Sequence, residues 1–225
     1  MKQKIYEMLV LQNKMNLVVN PNWKSANYPW YDCIMVEGVE AFEHFGYKFW
    51  KHTEPNIPQV KMEMVDIWHF MLSVYISYPA CSMKTFEELS EMLLLDIEDS
   101  QFCSDVFDNS ISKFPIHIKF LVCQATLKKS PLIEFLSCLK CLDMSFDELY
   151  EQYIGKNCLN FFRQDNGYKS GTYHKTFWDG REDNEHLVDI LNSLKDMTAP
   201  ENLFDYITSQ LSSAYHKNDR DFIIV

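Results

Sequence analysis

"VEGVEAFEHFGYKFWKHTEPNIPQVKMEMVDIWHF" spans residues 36–70 and contains two acidic pairs with the same spacing. Glu37 and Glu40 are three positions apart, and so are Glu63 and Asp66. The two prolines between the pairs are not tolerated in the interior of a helix, so the pairs are predicted to fall on two neighbouring helices. Positions i and i+3 of a helix share one face, and each pair therefore presents both carboxylates on the same side.

The residues around these pairs argue against two solvated acidic faces. Glu37 lies within the apolar run "IMVEGV", and Glu63 and Asp66 lie within "MEMVDIWHF". Carboxylates in apolar surroundings need partners, and converging carboxylates repel one another unless a cation lies between them. Clustered hard oxygens suit Mg²⁺ or Mn²⁺. Spacing alone leaves the convergence open, because a helix that continued to Lys51 would extend about 16 Å beyond Glu40.

The rest of the chain is predicted to be helical almost throughout. It has only 6 glycines, and the terminal "FIIV", residues 222–225, is the one continuous strand signal. Thr85 with Glu88 and Ser145 with Glu148 have the capping-box spacing that starts a helix. The predicted helices cover residues 2–18, 31–51, 58–77, 85–98, 145–163, 184–196 and 200–216, with two or three shorter helices within 100–143. The sequence therefore predicts an all-α fold.

Composition limits the possible partners. The net charge is −11, so the chain lacks the basic surface that a nucleic-acid polymer requires, although local cations or a metal could still hold a small anion. No stretch approaches 18 uninterrupted apolar residues, so no membrane span is expected, and the N-terminus lacks a signal-peptide pattern. Seven scattered cysteines indicate reduced thiols and a cytoplasmic location.

A second informative stretch, "YIGKNCLNFFRQDNGYKSGTYHKTFWDGREDNEHL", spans residues 153–187. Lys156, Asn160 and Arg163 have the i, i+4 and i+7 spacing of one helical stripe. Lys169 and Lys175 follow in a polar segment with three turn signals that end in glycine. Lysine, arginine and amide donors together suit phosphate oxygens. The length and aromatic content of the segment indicate an ordered functional loop rather than a solvated connection.

These two regions together resemble the dimeric, all-α dUTPase family, which belongs with the MazG-type nucleoside triphosphate pyrophosphohydrolases. "MLVLQNKMN", residues 8–16, and "NPNW", residues 20–23, are similar to the opening helix and loop of that family. The resemblance covers about residues 5–78 and 145–187. The middle segment and the last 40 residues carry no motif that can be placed.

The resemblance implies Mg²⁺-dependent hydrolysis of dUTP, and usually of dUDP, to dUMP. It implies that Glu37, Glu40, Glu63 and Asp66 are the metal ligands, with Mn²⁺ as a possible substitute. It also implies that one glutamate of the first pair, Glu37 or Glu40, activates the attacking water, and we expect Glu37 to do so. Metal ions neutralise phosphate oxygens and lower the pKa of a bound water, which is the chemistry that phosphoanhydride hydrolysis needs.

The resemblance also implies the residues that contact the rest of the substrate. The phosphate-binding positions fall on Lys156, Asn160, Arg163, Tyr168, Lys169 and Lys175. The nucleoside-binding positions fall on Gln12, Asn16 and Trp23. Cationic side chains at the phosphates stabilise the charge that develops in the transition state.

The domain organisation is predicted from the middle of the chain, which is poorer in charged motif residues than its two ends, and the resemblance adds the motion and the dimer. We expect a single all-α domain with a core of residues 1–79 and 144–225 and a smaller mobile helical lobe of residues 80–143. The lobe would close over substrate and exclude water. In the family both chains of a dimer contribute to the active sites, so a homodimer is expected.

Three alternatives remain open. A relative could act on dCTP as well as dUTP, or on a broader set of nucleotides, because a side-chain amide can serve uracil or cytosine by flipping. A non-catalytic helical module could use the acidic faces to bind a basic partner. A di-iron helical bundle would need Glu-x-x-His pairs, but Glu63 is followed three residues later by Asp66.

Overall fold

The computed structural model describes residues 1–48, 50–51, 53–81, 83–194 and 202–216. Within these residues the chain forms nine α-helices and three short 3₁₀ helices, and it has no β-strand. The α-helices are α1 Lys2–Val19, α2 Trp30–His44, α3 Ile57–Ser77, α4 Phe86–Ser104, α5 Phe114–Thr126, α6 Leu132–Cys141, α7 Phe146–Asp165, α8 Asp183–Leu194 and α9 Leu203–Tyr215. The all-α prediction is confirmed, while the terminal "FIIV" lies outside the described residues.

The end of α2 corrects one sequence prediction. The helix ends at His44 and does not continue to Lys51. Gly46 adopts a φ of +79°, in the left-handed region that side chains disfavour, and a Cβ there would lie 2.8 Å from the carbonyl oxygen of Thr53. The backbone N–H of Asn56 then donates to the carbonyl of His44 at 2.9 Å. The chain therefore reverses tightly between α2 and α3.

Local capping residues start the next two helices. The side chain of Asn56 accepts from the backbone N–H of Gln59 at the start of α3, and Pro58 occupies the first turn, where its missing N–H costs nothing. Thr85 and Glu88 form both hydrogen bonds of the predicted capping box at the start of α4. These helices begin close to the predicted positions because the signals are local.

The helix α4 is longer than predicted, because it ends at Ser104 rather than near residue 98. Lys140 of α6 donates to the backbone carbonyl of Gln101 and to the side chains of Ser104 and Asp105. A distant lysine thus satisfies carbonyl and carboxylate oxygens at the C-terminus of α4, where a positive charge is favourable. Local sequence could not reveal this contact.

The chain divides into two compact units, residues 1–150 and 151–225, with the boundary inside α7. In the first unit, α2 packs along α3, and α5 packs on α2. Trp68 of α3 stacks on Phe135 of α6 with ring centroids 5.2 Å apart, and its indole N–H lies 3.3 Å from the sulfur of Met8. Three helices therefore share one core. The predicted mobile lobe, residues 80–143, lies within this unit and stays a prediction.

The second unit contains the rest of α7, the segment 166–182, and the helices α8 and α9. Tyr215 of α9 lies at the centre of an aromatic cluster, with ring centroids 5.2 Å from Tyr173, 5.5 Å from Phe162 and 5.1 Å from Phe177. This cluster packs the polar segment against α7 and α9.

Among the described residues, none of the helices combines the length and the apolar character that crossing a bilayer requires.

Candidate active site

The hairpin of α2 and α3 brings carboxylates from both acidic pairs together. One oxygen atom each from Glu37, Glu63 and Asp66 lies within 4.8 Å of the other two. The early end of α2 makes this possible, because α3 starts beside His44 and runs back along α2. The spacing of the acidic residues in the sequence left open whether the two pairs converge, and the structure shows that three of the four carboxylates do. Glu40 is not part of the group, and its side chain is exposed.

The three carboxylates differ in their surroundings. Glu63 is only 6 % exposed, whereas Glu37 and Asp66 are half-buried. The Nε2 atom of His44 lies 3.5 Å from Oε1 of Glu63. Sequence reasoning missed His44, although it lies two helical turns after Glu37 and therefore on the same face of α2.

The donor set of this group fits a hard divalent cation. All three donors are carboxylate oxygens, which Mg²⁺ and Mn²⁺ prefer. The three oxygen atoms lie within 4.8 Å of one another, close enough for one cation to be shared among the carboxylates. Nearby, burial and then the charge of Glu37 raise the pKa of the Cys33 thiol.

A chain of buried polar side chains connects α1 to α3. The Nε2 atom of Gln12 donates to Oδ1 of Asn16 at 3.0 Å, and Nδ2 of Asn16 donates to the hydroxyl of Ser73 at 3.0 Å. The Ser73 hydroxyl donates to the backbone carbonyl of His69 at 3.0 Å, and Nδ1 of His69 lies 2.7 Å from Oε1 of Gln12. We name these four residues the amide relay. All are at most 7 % exposed.

The third predicted nucleoside contact, Trp23, is 1 % exposed and packs into an aromatic group. Its ring meets Trp30 edge to face with centroids 6.0 Å apart, and Trp30 stacks on Phe70 at 6.1 Å. Phe70 lies one helical turn after Asp66 on α3. The structure therefore groups Trp30 and Phe70 with Trp23, the one member of this group that the sequence had indicated.

A cavity of about 650 Å³ lies between α3, α4 and the start of α6. Its lining includes the rings of Tyr31, Trp68 and Tyr75 and the carboxylates of Asp96 and Asp99. None of the three clustered carboxylates lines it. The hydroxyl of Tyr75 donates to Asp96 at 3.1 Å, and burial together with that carboxylate raises the pKa of Tyr75.

In the second unit, two of the predicted phosphate-binding cations are buried and paired. Nε and Nη2 of Arg163 donate to the two carboxylate oxygens of Asp183 at 2.8 and 2.7 Å. The hydroxyl of Tyr173 donates to the same carboxylate at 2.8 Å. Lys156 is 3 % exposed and donates to Oδ1 of Asn184 at 2.9 Å.

Asp183 is the centre of this network. Burial alone would raise the pKa of its carboxyl, but the hydrogen bonds and charge of Arg163, the Tyr173 hydroxyl and the charge of Lys156 together hold that pKa below 3.8. Nη1 of Arg163 also donates to Oδ1 of Asn160 at 3.3 Å, so three predicted residues share one network. Sequence reasoning missed Asp183, which lies 20 positions from its arginine.

The remaining predicted phosphate contacts lie on the segment 166–182 and are exposed. Tyr168 is 44 % exposed, and Nζ of Lys175 lies 5.9 Å from the centre of its ring. Lys169 is also exposed. These three residues are exposed, whereas Lys156 and Arg163 are buried and hydrogen-bonded to Asn184 and Asp183.

The fold and the site define an all-α protein whose helix pair gathers carboxylates that can hold a divalent cation. The family model described as dUTPase matches residues 4–168, which is most of the chain. The chain therefore belongs to the all-α dUTPase family, within the MazG-type pyrophosphohydrolases, and it is a dUTP diphosphatase. A comparison with curated proteins gives no significant match.

The range of the match differs from the resemblance seen in the sequence. It includes the middle segment, residues 80–143, for which the sequence offered no motif. It ends at residue 168, before Lys169 and Lys175.

Proposed function

We propose that the chain hydrolyses dUTP, and also dUDP, to dUMP, with pyrophosphate as the second product of dUTP and Mg²⁺ as the cofactor. Mn²⁺ would serve as a substitute. The family supports the reaction. The proposal of a bound metal rests on one observation: Glu37, Glu63 and Asp66 place carboxylate oxygens within 4.8 Å of one another. The bound cation would neutralise phosphate oxygens and make the attacking water more acidic.

In this proposal each carboxylate has a defined task. Glu63 and Asp66 of α3 and Glu37 of α2 would hold the cation, which would supply Lewis-acid charge at the phosphates. Glu37 also accepts a proton from the attacking water, because it is half-buried and less enclosed than Glu63. Glu40 is exposed in this structure, and we assign it to the same site through a change of rotamer or a second cation. His44 orients Glu63.

The cations of the second unit would bind the phosphates. Lys156 and Arg163, with Asn160 between them, form a fixed set of donors whose geometry Asp183 and Asn184 maintain. Tyr168, Lys169 and Lys175 would add contacts from the exposed segment. Fixed donors aimed at developing negative charge stabilise a transition state without reorganisation.

Gln12, Asn16 and Trp23 would contact the nucleoside, with Trp30 packed against Trp23. We further propose that the protein is a homodimer whose two chains both contribute to the active sites. The segment 80–143 would act as a mobile lobe that closes over the substrate.

The cellular role proposed here is to keep uracil out of DNA and to supply dUMP for thymidylate synthesis. We place it in the cytoplasm, since the structure contains seven free cysteines and a reducing compartment preserves thiols.

The test is product analysis with purified protein, Mg²⁺ and, separately, dUTP, dUDP, dCTP, dTTP and UTP. The proposal expects dUMP and pyrophosphate from dUTP, dUMP and phosphate from dUDP, and loss of both reactions with EDTA. Equal rates on dCTP or on all nucleotides would replace this substrate assignment by a broader one. Hydrolysis that persists in EDTA would contradict the role of the metal.

A further inference from the structure

The amide relay determines the orientation of two residues that the proposed function assigns to the nucleoside. An amide side chain can present either its oxygen or its NH₂ group to a partner, and these two orientations look alike in shape. In isolation, Gln12 and Asn16 could therefore serve two different bases. Their contacts within the relay remove this freedom.

The direction of the relay is set at Ser73. Its hydroxyl carries one hydrogen, and the carbonyl of His69, 3.0 Å away, can only accept. When that hydrogen goes to the carbonyl, Asn16 must face Ser73 with its NH₂ group, as observed at 3.0 Å. Oδ1 of Asn16 then faces Gln12, so Gln12 must donate with Nε2.

The same logic continues to His69. With Nε2 of Gln12 directed at Asn16, Oε1 of Gln12 faces Nδ1 of His69 at 2.7 Å. An oxygen at this distance accepts a hydrogen bond, and Nδ1 must therefore carry a proton. The four hydrogen bonds therefore all donate in the same sense. Donation runs from the imidazole N–H of His69 through Gln12, Asn16 and Ser73 to the backbone carbonyl of His69.

The reversed direction is less favourable. If Asn16 turned its oxygen toward Ser73, two carbonyl-type oxygens would compete for the single hydrogen of one hydroxyl. Gln12 would have to turn as well, and His69 would have to lose the proton from Nδ1. Every residue of the relay is buried, so water cannot replace a lost partner.

We propose that Ser73 is a specificity-determining positioning residue, whose hydroxyl fixes the orientation of the Gln12 and Asn16 amides and thereby makes the site prefer uracil to cytosine. This inference rests on the proposed function. Uracil has a carbonyl and a ring N–H at the edge where cytosine has an amine and an unprotonated ring nitrogen. Amides that can flip tolerate both patterns, whereas amides of fixed direction accept one.

The first experiment compares kcat/KM for dUTP and dCTP in the wild type and in Ser73→Ala. We expect the dUTP to dCTP ratio to fall by about tenfold or more, which corresponds to the loss of one orienting hydrogen bond. Ser77→Ala is the matched control, because Ser77 is one turn further along α3 and also donates to backbone carbonyls. Its ratio should stay at the wild-type value. Ser73→Thr keeps the hydroxyl and should keep the ratio.

A ratio in Ser73→Ala within twofold of that in Ser77→Ala would overturn the inference. If Ser73→Ala fails to fold, the wild type still decides it by long-range ¹H–¹⁵N correlation spectra of His69. The relay requires a protonated Nδ1, and a bare Nδ1 with a protonated Nε2 would overturn it. If the wild type hydrolyses neither nucleotide, the proposed function fails, and the spectrum alone then judges the relay.

Discussion

Glu37 illustrates what a single residue does in this structure. Its carboxylate meets Glu63 and Asp66 across two helices, and it is half-buried rather than enclosed. A carboxylate in this position can share a cation with its neighbours and still reach a water molecule. The acid–base role assigned to it can be tested separately from folding.

Replacing Glu37 by glutamine should lower kcat for dUTP by about 10²–10⁴-fold, because glutamine cannot accept the proton of the attacking water. Steady-state hydrolysis of dUTP at saturating Mg²⁺ gives this number. Glu43→Gln on the same helix is the control, since Glu43 is an exposed carboxylate outside the group. Turnover of Glu37→Gln within threefold of the wild type would remove Glu37 from the reaction.

Asp183 gives a prediction on stability. Asp183→Asn should lower the free energy of unfolding by about 3 kcal/mol at neutral pH, because it leaves the buried Arg163 without its counter-charge. Asp189→Asn on the same helix is the control, because its pair with Arg181 is largely exposed and contributes about 1 kcal/mol or less. Urea unfolding measures both differences.

The pH dependence of this effect has a defined sign. The pKa of Asp183 in the folded state lies below its ordinary value of 3.8, so its stabilisation is fully present above pH 3.8. It is lost as the pH falls through the lower, folded-state pKa. The difference between the wild type and Asp183→Asn should therefore shrink on acidification below pH 3.8, and a difference that grew there would contradict this account.

At the scale of elements, helix ends decide whether the acidic pairs meet. The sequence predicts α3 to within one residue at each end, because Pro55 and Pro58 limit its start and Pro79 follows its end. It does not predict the end of α2, since the apolar period continues through "FGYKFW" and hides the turn at Gly46. The extension of α4 depends on Lys140, which lies more than 30 positions away in sequence.

Gly46→Ala should lower the free energy of unfolding by about 2–3 kcal/mol, because its φ of +79° is strained for alanine and the new Cβ would lie 2.8 Å from Thr53. Gly171→Ala is the control, since Gly171 has a φ of +74° and open space around the new Cβ. It should lose only the strain, about 1 kcal/mol. Equal losses in thermal or urea unfolding would show that the turn does not constrain the hairpin.

The same contrast holds for the site. Spacing and apolar surroundings were enough to indicate the acidic pairs, but they could not separate exposed Glu40 from the three carboxylates that meet. Asp183 and Ser73 contact partners on other helices, and His44, although it shares a face of α2 with Glu37, contacts Glu63 on α3, so the sequence does not reveal these contacts. Local signals predict helices and candidate ligands, whereas the partners that hold them depend on tertiary packing.

At the scale of the whole molecule, an acidic chain of net charge −11 must bind a polyanionic nucleotide. In the proposed function, carboxylates of the first unit would hold a divalent cation, and lysine and arginine side chains of the second unit would bind phosphate oxygens. Family membership supports the reaction itself.

The proposed homodimer predicts a sedimenting species of twice the chain mass of 26.7 kDa at micromolar concentration. Sedimentation velocity over a range of concentrations measures it, with Mg²⁺ present and absent. A single monomeric species at every concentration, in a preparation that hydrolyses dUTP, would show that one chain suffices for the active site.

The most direct test of the central claim is the Mg²⁺ dependence of dUTP hydrolysis in the wild type, Glu63→Gln and the control Glu43→Gln. If Glu63 holds the cation with Glu37 and Asp66, the Mg²⁺ concentration for half-maximal rate should rise at least about tenfold in Glu63→Gln and stay unchanged in Glu43→Gln. The same Mg²⁺ dependence in all three proteins would contradict the claim that the carboxylates of α2 and α3 hold a metal ion.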